Sequence, residues 1–106
     1  MPNIPGLGNI MKQAQKMAEE TERIQEELHN EKIEASSGGG MVTAVATGSG
    51  ELLEVKIDPQ VVDPEDVEML QDLVVSAVRE ALEKATELKN SRMADLTGGM
   101  GIPGLF

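Results

Sequence analysis

The sequence predicts an α+β protein in which a three-stranded antiparallel sheet is combined with two long helices, in the order α-β-β-β-α. Two observations favour this fold. Charged segments with helical patterning lie on either side of a short, glycine-punctuated segment whose side chains alternate in polarity. At 106 residues the chain is long enough for one domain with a modest core. We expect a single domain over residues 1–106, with flexible tails at about residues 1–8 and 96–106.

The first helix is predicted from about residue 8 to residue 31 because apolar side chains recur there every seven residues. The repeat has two series, which are Leu7, Ala14, Thr21 and Leu28, and Ile10, Met17 and Ile24. Lys, Gln and Glu fill the positions between them. The pattern is typical of a helix that packs one face against a core, and its length would be roughly 35 Å.

Three strands are predicted in the middle of the chain, at Ile33–Ser36, Met41–Thr47 and Leu52–Asp58. The third alternates most regularly, so we expect one face of it to be buried through Leu53, Val55 and Ile57. Gly38-Gly39-Gly40 and Gly48-Ser49-Gly50 join the strands as hairpin connections, because glycine readily adopts positive φ.

The last helix has a clear predicted start. Asp63 suits the N-cap, Pro64 suits the first helical position, and the acidic residues that follow favour the positive end of the helix dipole. Apolar residues then recur at helical spacing, so we expect this helix to continue to about residue 94.

The composition predicts a homodimer. Two helices can cover only one face of a small sheet, and the middle strand is small or apolar on both faces. Aromatic residues make up 1% of the chain, so the core must be built from small aliphatic side chains. A second copy that packs on the sheet or extends it would bury what one protomer leaves open.

Several functional classes are disfavoured. The chain has no cysteine for disulfides or thiolate metal sites, no apolar run near the roughly 20 residues of a membrane span, and no secretion-signal pattern at its start. Gly38-Gly39-Gly40 leads into a hairpin rather than a helix, which argues against a phosphate-binding loop. His29 stands alone among glutamates, and no serine has a convincing base. We therefore expect a cytoplasmic protein that is not an enzyme and needs no metal or cofactor.

The distribution of charge says more than the net charge of −10. Residues 1–18 carry Lys12 and Lys16 and no acidic residue, and Arg23 falls on the same helical stripe. If the two helices pack antiparallel, these lysines should meet Lys84, Lys89 and Arg92 at one tip far from the sheet. Such a basic tip suits nucleic-acid phosphates. The same side chains could equally be solubilising residues paired with nearby glutamates.

Several segments together resemble the YbaB/EbfC family of small bacterial nucleoid-associated DNA-binding proteins. They are Met11-Lys12-Gln13-Ala14-Gln15-Lys16-Met17, Gly38-Gly39-Gly40-Met41-Val42, Val55-Lys56-Ile57-Asp58-Pro59, the run from Val62 to Leu70, and Leu96-Thr97-Gly98-Gly99. The resemblance implies a tweezer-like homodimer with a shared β platform and protruding helices that contact DNA. On this chain it assigns DNA contacts to Lys12, Lys16, Arg23, Lys84, Lys89 and Arg92.

The expected function is that of a homodimeric protein of the nucleoid that binds double-stranded DNA mainly through phosphate contacts, in nucleoid organisation or gene regulation. The alternative is a dimeric protein–protein interaction module. That module would use the acidic flanks or the apolar C-terminal tail, and its DNA binding would be weak or incidental.

Overall fold

The computed structural model describes residues 6–99 and confirms the predicted order of elements. The elements are α1 (Leu7–Asn30), β1 (Lys32–Ser37), β2 (Val42–Thr47), β3 (Leu52–Ile57) and α2 (Val67–Gly99). The helical start at Leu7 and the extension of α2 to Gly99 place parts of both predicted tails in helices. The remainder of each predicted tail lies outside the described residues.

The strands form one antiparallel sheet in the order β1-β2-β3, as predicted. The β1–β2 connection is a short 3₁₀ turn in which Gly38, Gly39 and Gly40 all have positive φ. In the β2–β3 connection only Gly50 has positive φ, at 92°. Gly48 serves a different purpose, because a Cβ there would lie 2.8 Å from the carbonyl oxygen of Leu28. The absence of a side chain at Gly48 lets the end of α1 pack closely on this turn.

The core is a layer of small side chains between α2 and the sheet. Ala77 and Ala81 of α2 are fully buried against a cluster on β1 and β2 that consists of Ala35, Val42, Ala44 and Ala46. Larger residues of α2, such as Leu70, Leu73 and Leu82, pack around the edge of this cluster. The Ser37 hydroxyl also donates a 2.6 Å hydrogen bond to the Leu73 carbonyl, which ties β1 to α2.

The third strand is much more exposed than its alternation predicts. Leu53 is 48% exposed and Ile57 is 40% exposed, and only Val55 of the three residues predicted to be buried packs against the core. The prediction of a buried face on β3 is therefore wrong for the single protomer. The reason is that α2 lies over β1 and β2 and makes few contacts with β3.

The start of α2 lies three residues later than the sequence predicts. Asp63 accepts a 2.9 Å hydrogen bond from the backbone N–H of Glu65 and shapes a turn before the helix. Asp66 then accepts from the N–H of Met69 at 3.2 Å, which is the N-cap geometry for a helix that begins at Val67. The Asp-Pro-Glu-Asp run contains two side chains able to cap, and Pro64 lies in the turn rather than in the helix.

The apolar stripe of α1 is buried only near the sheet. Ile24 and Leu28 are the buried residues of this helix, whereas Ile10 and Met11 are 62% and 64% exposed. We call residues 7–18 the distal half of α1. Every side chain in it is exposed except Met17, which is half-buried. The distal half therefore projects away from the core, and the molecule extends over 75 × 25 × 20 Å.

The packing of Gly48 against α1 yields a stability prediction. Gly48→Ala should lower the free energy of unfolding by about 1–3 kcal/mol, because the added methyl group meets backbone atoms that cannot move aside easily. Gly8→Ala is the control, because its Cβ would meet nothing within 4 Å and alanine favours a helix. Urea denaturation of both variants measures the difference. Equal stability of the two variants would contradict the close approach of α1 to the turn.

Candidate nucleic-acid interface

The two helices run side by side in opposite directions beyond the sheet. Arg92 of α2 lies next to Glu31 at the C-terminal end of α1. Further along α2, Asp95 and Leu96 line a crevice together with Glu20 and Lys16 of α1. Since Arg92 is level with residues 27–31 of α1, Gly99 lies about 10 Å further along. The distal half of α1 continues past that point, so the two helices form an arm with α1 at its end.

The basic residues do not gather at one tip. Lys84 lies beside the sheet, where its ammonium group donates to the carbonyl oxygen of Glu34 at 3.4 Å and lies 3.8 Å from Glu80. Arg92 also lies at the base of the arm, whereas Lys12 is about 22 Å along α1 from Glu27. The prediction that Lys84 meets Lys12 and Lys16 far from the sheet is wrong, whereas Arg92 lines one crevice with Lys16. The first half of α2 crosses the sheet, so only its second half accompanies α1.

The lysines of the arm differ from its arginines in having no acidic partner among residues 6–99. Lys12, Lys16 and Lys89 are exposed, and none of them forms an ion pair with another residue in the range 6–99. Their ammonium groups are available for an external anion. The alternative in which these side chains pair with nearby glutamates therefore holds for the two arginines. The three lysines are unpaired within the described part of the chain.

Both arginines belong to one chain of ion pairs. Arg23 contacts Glu20 at 2.5 Å and Glu27 at 2.6 Å, and Arg92 contacts Glu31 at 2.7 Å and Glu27 at 3.7 Å. Glu27 therefore faces both guanidinium groups. The pKa of Arg23 is raised chiefly by its hydrogen bond to Glu20, and the pKa of Arg92 is raised chiefly by its hydrogen bond to Glu31. Among the described residues, Arg92 provides the charged link between α1 and α2.

Half of these ion pairs can be predicted from the sequence. The spacing of Glu20, Arg23 and Glu27 is i, i+3 and i, i+4 on one helix, which is a readable signal for ion pairs. The contact of Arg92 with α1 joins residues 61 positions apart, so no local pattern indicates it. The role of Glu27 in joining α1 to α2 therefore has no signal in the sequence.

The imidazole of His29 lies next to the β2–β3 connection. Its Nδ1 is 3.4 Å from the Ser49 hydroxyl and 3.9 Å from a carboxylate oxygen of Glu51. Its acidic neighbour is therefore on the sheet side of the turn and not among the glutamates of α1. Within residues 6–99 there is no cluster of three acidic, histidine or cysteine side chains that could hold a metal ion. Within the same range, neither helix is apolar enough over a sufficient length to cross a bilayer.

Comparison with known proteins assigns the family. The model of the YbaB/EbfC DNA-binding family matches residues 3–100. The chain belongs to this family. Because it is a family of DNA-binding proteins and not of enzymes, the prediction that the chain is non-enzymatic is confirmed.

Curated relatives and one solved structure agree with this assignment. A nucleoid-associated protein of Ruminiclostridium cellulolyticum is 57% identical over 101 residues, covering 94% of this chain and 88% of the relative. One from Acetivibrio thermocellus is 56% identical, covering 96% of this chain and 95% of the relative. The crystal structure of the uncharacterised protein HP0035 of Helicobacter pylori has a TM-score of 0.74 at 25% identity, covering 92% of this family member and 99% of that chain.

The link between α1 and α2 yields a second prediction. Arg92→Gln should lower the thermal unfolding midpoint, because it leaves Glu27 and Glu31 close together without the cation between them. Lys89→Gln removes the same charge from α2 but no ion pair of the described part of the chain, so its midpoint should stay near that of the wild type. Circular dichroism melts at one protein concentration measure both. The difference should shrink in 1 M salt, where the Debye length is about 3 Å. Equal midpoints at low salt would contradict the linking role of Arg92.

Proposed function

We propose that the protein is a nucleoid-associated, homodimeric DNA-binding protein whose arms contact the phosphates of duplex DNA. Membership of a DNA-binding family and relatives named as nucleoid-associated proteins support the DNA partner. The single observation that carries the contact site is the distal half of α1, where Lys12 and Lys16 are exposed, unpaired within residues 6–99, and without an acidic residue up to Ala18. Lysine ammonium groups bind phosphates without reading bases, so sequence preference should be weak.

The position of these lysines is favourable despite the net charge of −10. Exposed charges separated by more than a Debye length, about 8–10 Å at ordinary ionic strength, are largely screened from each other. Glu19, the first acidic residue of α1, follows Lys12 by seven positions, which is about 10 Å along the helix. A phosphate that approaches the end of the arm therefore meets a locally positive surface.

The homodimer is supported by apolar surface that one protomer leaves uncovered. Leu52, Leu53 and Ile57 are exposed on β3, one of the two edge strands of the sheet. On α2 an open groove of about 770 Å³ is lined by residues that include Val74, Val75, Val78 and Leu82. An unpaired edge strand and an apolar helix face are both surfaces of the kind that a second copy covers. A dimer joined there would project two arms, each with its two exposed lysines near the end.

A charge-matched pair of variants tests the contact site. Lys12→Gln/Lys16→Gln should weaken duplex binding by roughly tenfold and reduce the slope of log affinity against log salt by about 1 for each phosphate that the variant no longer neutralises. Lys32→Gln/Lys56→Gln removes two exposed lysines of the sheet and should change binding much less. Fluorescence anisotropy with a short duplex between 50 and 200 mM salt measures both, and sedimentation velocity checks that each variant keeps the wild-type mass.

Two results would overturn the proposal. Equal losses of affinity in the two variants would mean that net charge, and not the arm, governs binding. Absence of duplex binding by the wild type at 50 mM salt would favour the alternative, a protein–protein interaction module that uses the acidic flanks or the apolar C-terminal tail.

A further inference from the structure

The guanidinium of Arg23 is hydrogen-bonded to two carboxylates of its own helix. Its Nε and Nη2 donate to one oxygen of Glu20, and its Nη1 donates to Glu27 at 2.6 Å. Three of the five N–H donors of the group are therefore in use, one on each nitrogen. The side chain is nevertheless 55% exposed, so an external anion can reach it.

Arg23 lies on the stripe of α1 that also carries Lys12 and Lys16. Residues separated by 4 and 11 positions fall on one side of an α-helix. Along this stripe the two distal cations are unpaired within the described residues, and the third is covered by two acids. A phosphate backbone that follows the stripe from the end of α1 towards the sheet therefore meets two attractive groups and then a neutralised one.

We propose that Glu20 and Glu27 set the DNA affinity of the arm by holding Arg23 away from phosphate. This inference rests on the proposed DNA-binding function and adds to it the residues that limit its strength. A phosphate and a carboxylate compete for the same planar set of donors, because both accept two parallel hydrogen bonds from a guanidinium. The two glutamates accept hydrogen bonds from the Arg23 guanidinium and add negative charge beside the approaching DNA. They confine strong phosphate contact to the distal half of α1.

Glu20→Gln/Glu27→Gln frees Arg23 and has a closely matched control. Glu19→Gln/Glu26→Gln removes two charges from the same helix at the same seven-residue separation, and neither Glu19 nor Glu26 takes part in an ion pair within residues 6–99. Glutamine favours helix about as well as glutamate, so both variants should fold. Helical content by circular dichroism and mass by sedimentation velocity confirm this before binding is measured.

Anisotropy titrations of a short duplex at several salt concentrations give the result. Glu20→Gln/Glu27→Gln should bind roughly two- to fivefold more tightly than the control variant, the range in which exposed ion pairs contribute. Its salt slope should be steeper by about 1 for the phosphate that Arg23 gains. Equal affinity and equal slope in the two variants would overturn the inference while leaving the DNA-binding function intact. Failure of the wild type to bind DNA would instead overturn the function itself.

Arg23→Gln in both backgrounds completes the test. In the Glu20→Gln/Glu27→Gln background it should remove most of the gain, because Arg92 keeps Glu31 as its nearer partner at 2.7 Å. Its effect there should exceed its effect in the wild type by roughly two- to fivefold. An equal loss of affinity in the two backgrounds would mean that Arg23 already contacts phosphate in the wild type, and would overturn the inference by a route independent of the glutamates.

Discussion

The close packing of alanines between α2 and the sheet is the constraint on which the rest of the structure depends. Ala77, Ala81 and Ala85 recur every four residues along α2 and are buried almost completely. Since an alanine side chain ends at Cβ, the helix can lie close against Ala44 and Ala46 of the central strand. This contact fixes α2 over β1 and β2. It leaves β3 and the valine-lined groove of α2 uncovered, and it sets the direction in which α2 leaves the sheet to support α1.

The arm that results separates its charges along its length. At the base, Arg92 and the glutamates of α1 neutralise each other and join the two helices. In the middle, Arg23 is covered by acids of its own helix. At the end, Lys12 and Lys16 have no acidic partner among the described residues. A chain with a net charge of −10 can present a positive surface to phosphate in this way. Salt screens the repulsion between the phosphate at the end of the arm and the acidic residues of the rest of the molecule.

The sequence predicted the elements better than it predicted how they are placed. Periodicity indicated the order of helices and strands because alternation and the seven-residue repeat are local properties. Burial of β3 was predicted wrongly because its exposure depends on where α2 lies across the sheet. The prediction of a common basic tip was wrong for the same reason. The alanine contact holds α2 against the sheet as far as Ala85, so Lys84 stays beside the sheet and Arg92 lies at the base of the arm. The ion pairs of Arg23 were readable from spacing, whereas the link from Arg92 to α1 required the fold.

The central claim is that DNA is contacted at the end of the arm and not on its base or on the sheet. Backbone amide shifts of ¹⁵N-labelled protein, followed by NMR during titration with a short duplex, test it most directly. We expect the largest shifts on residues 9–18 of α1, with small ones around Lys32, Lys56 and Arg92. Largest shifts on the sheet, or at the base of the arm around Glu31 and Arg92, would contradict it.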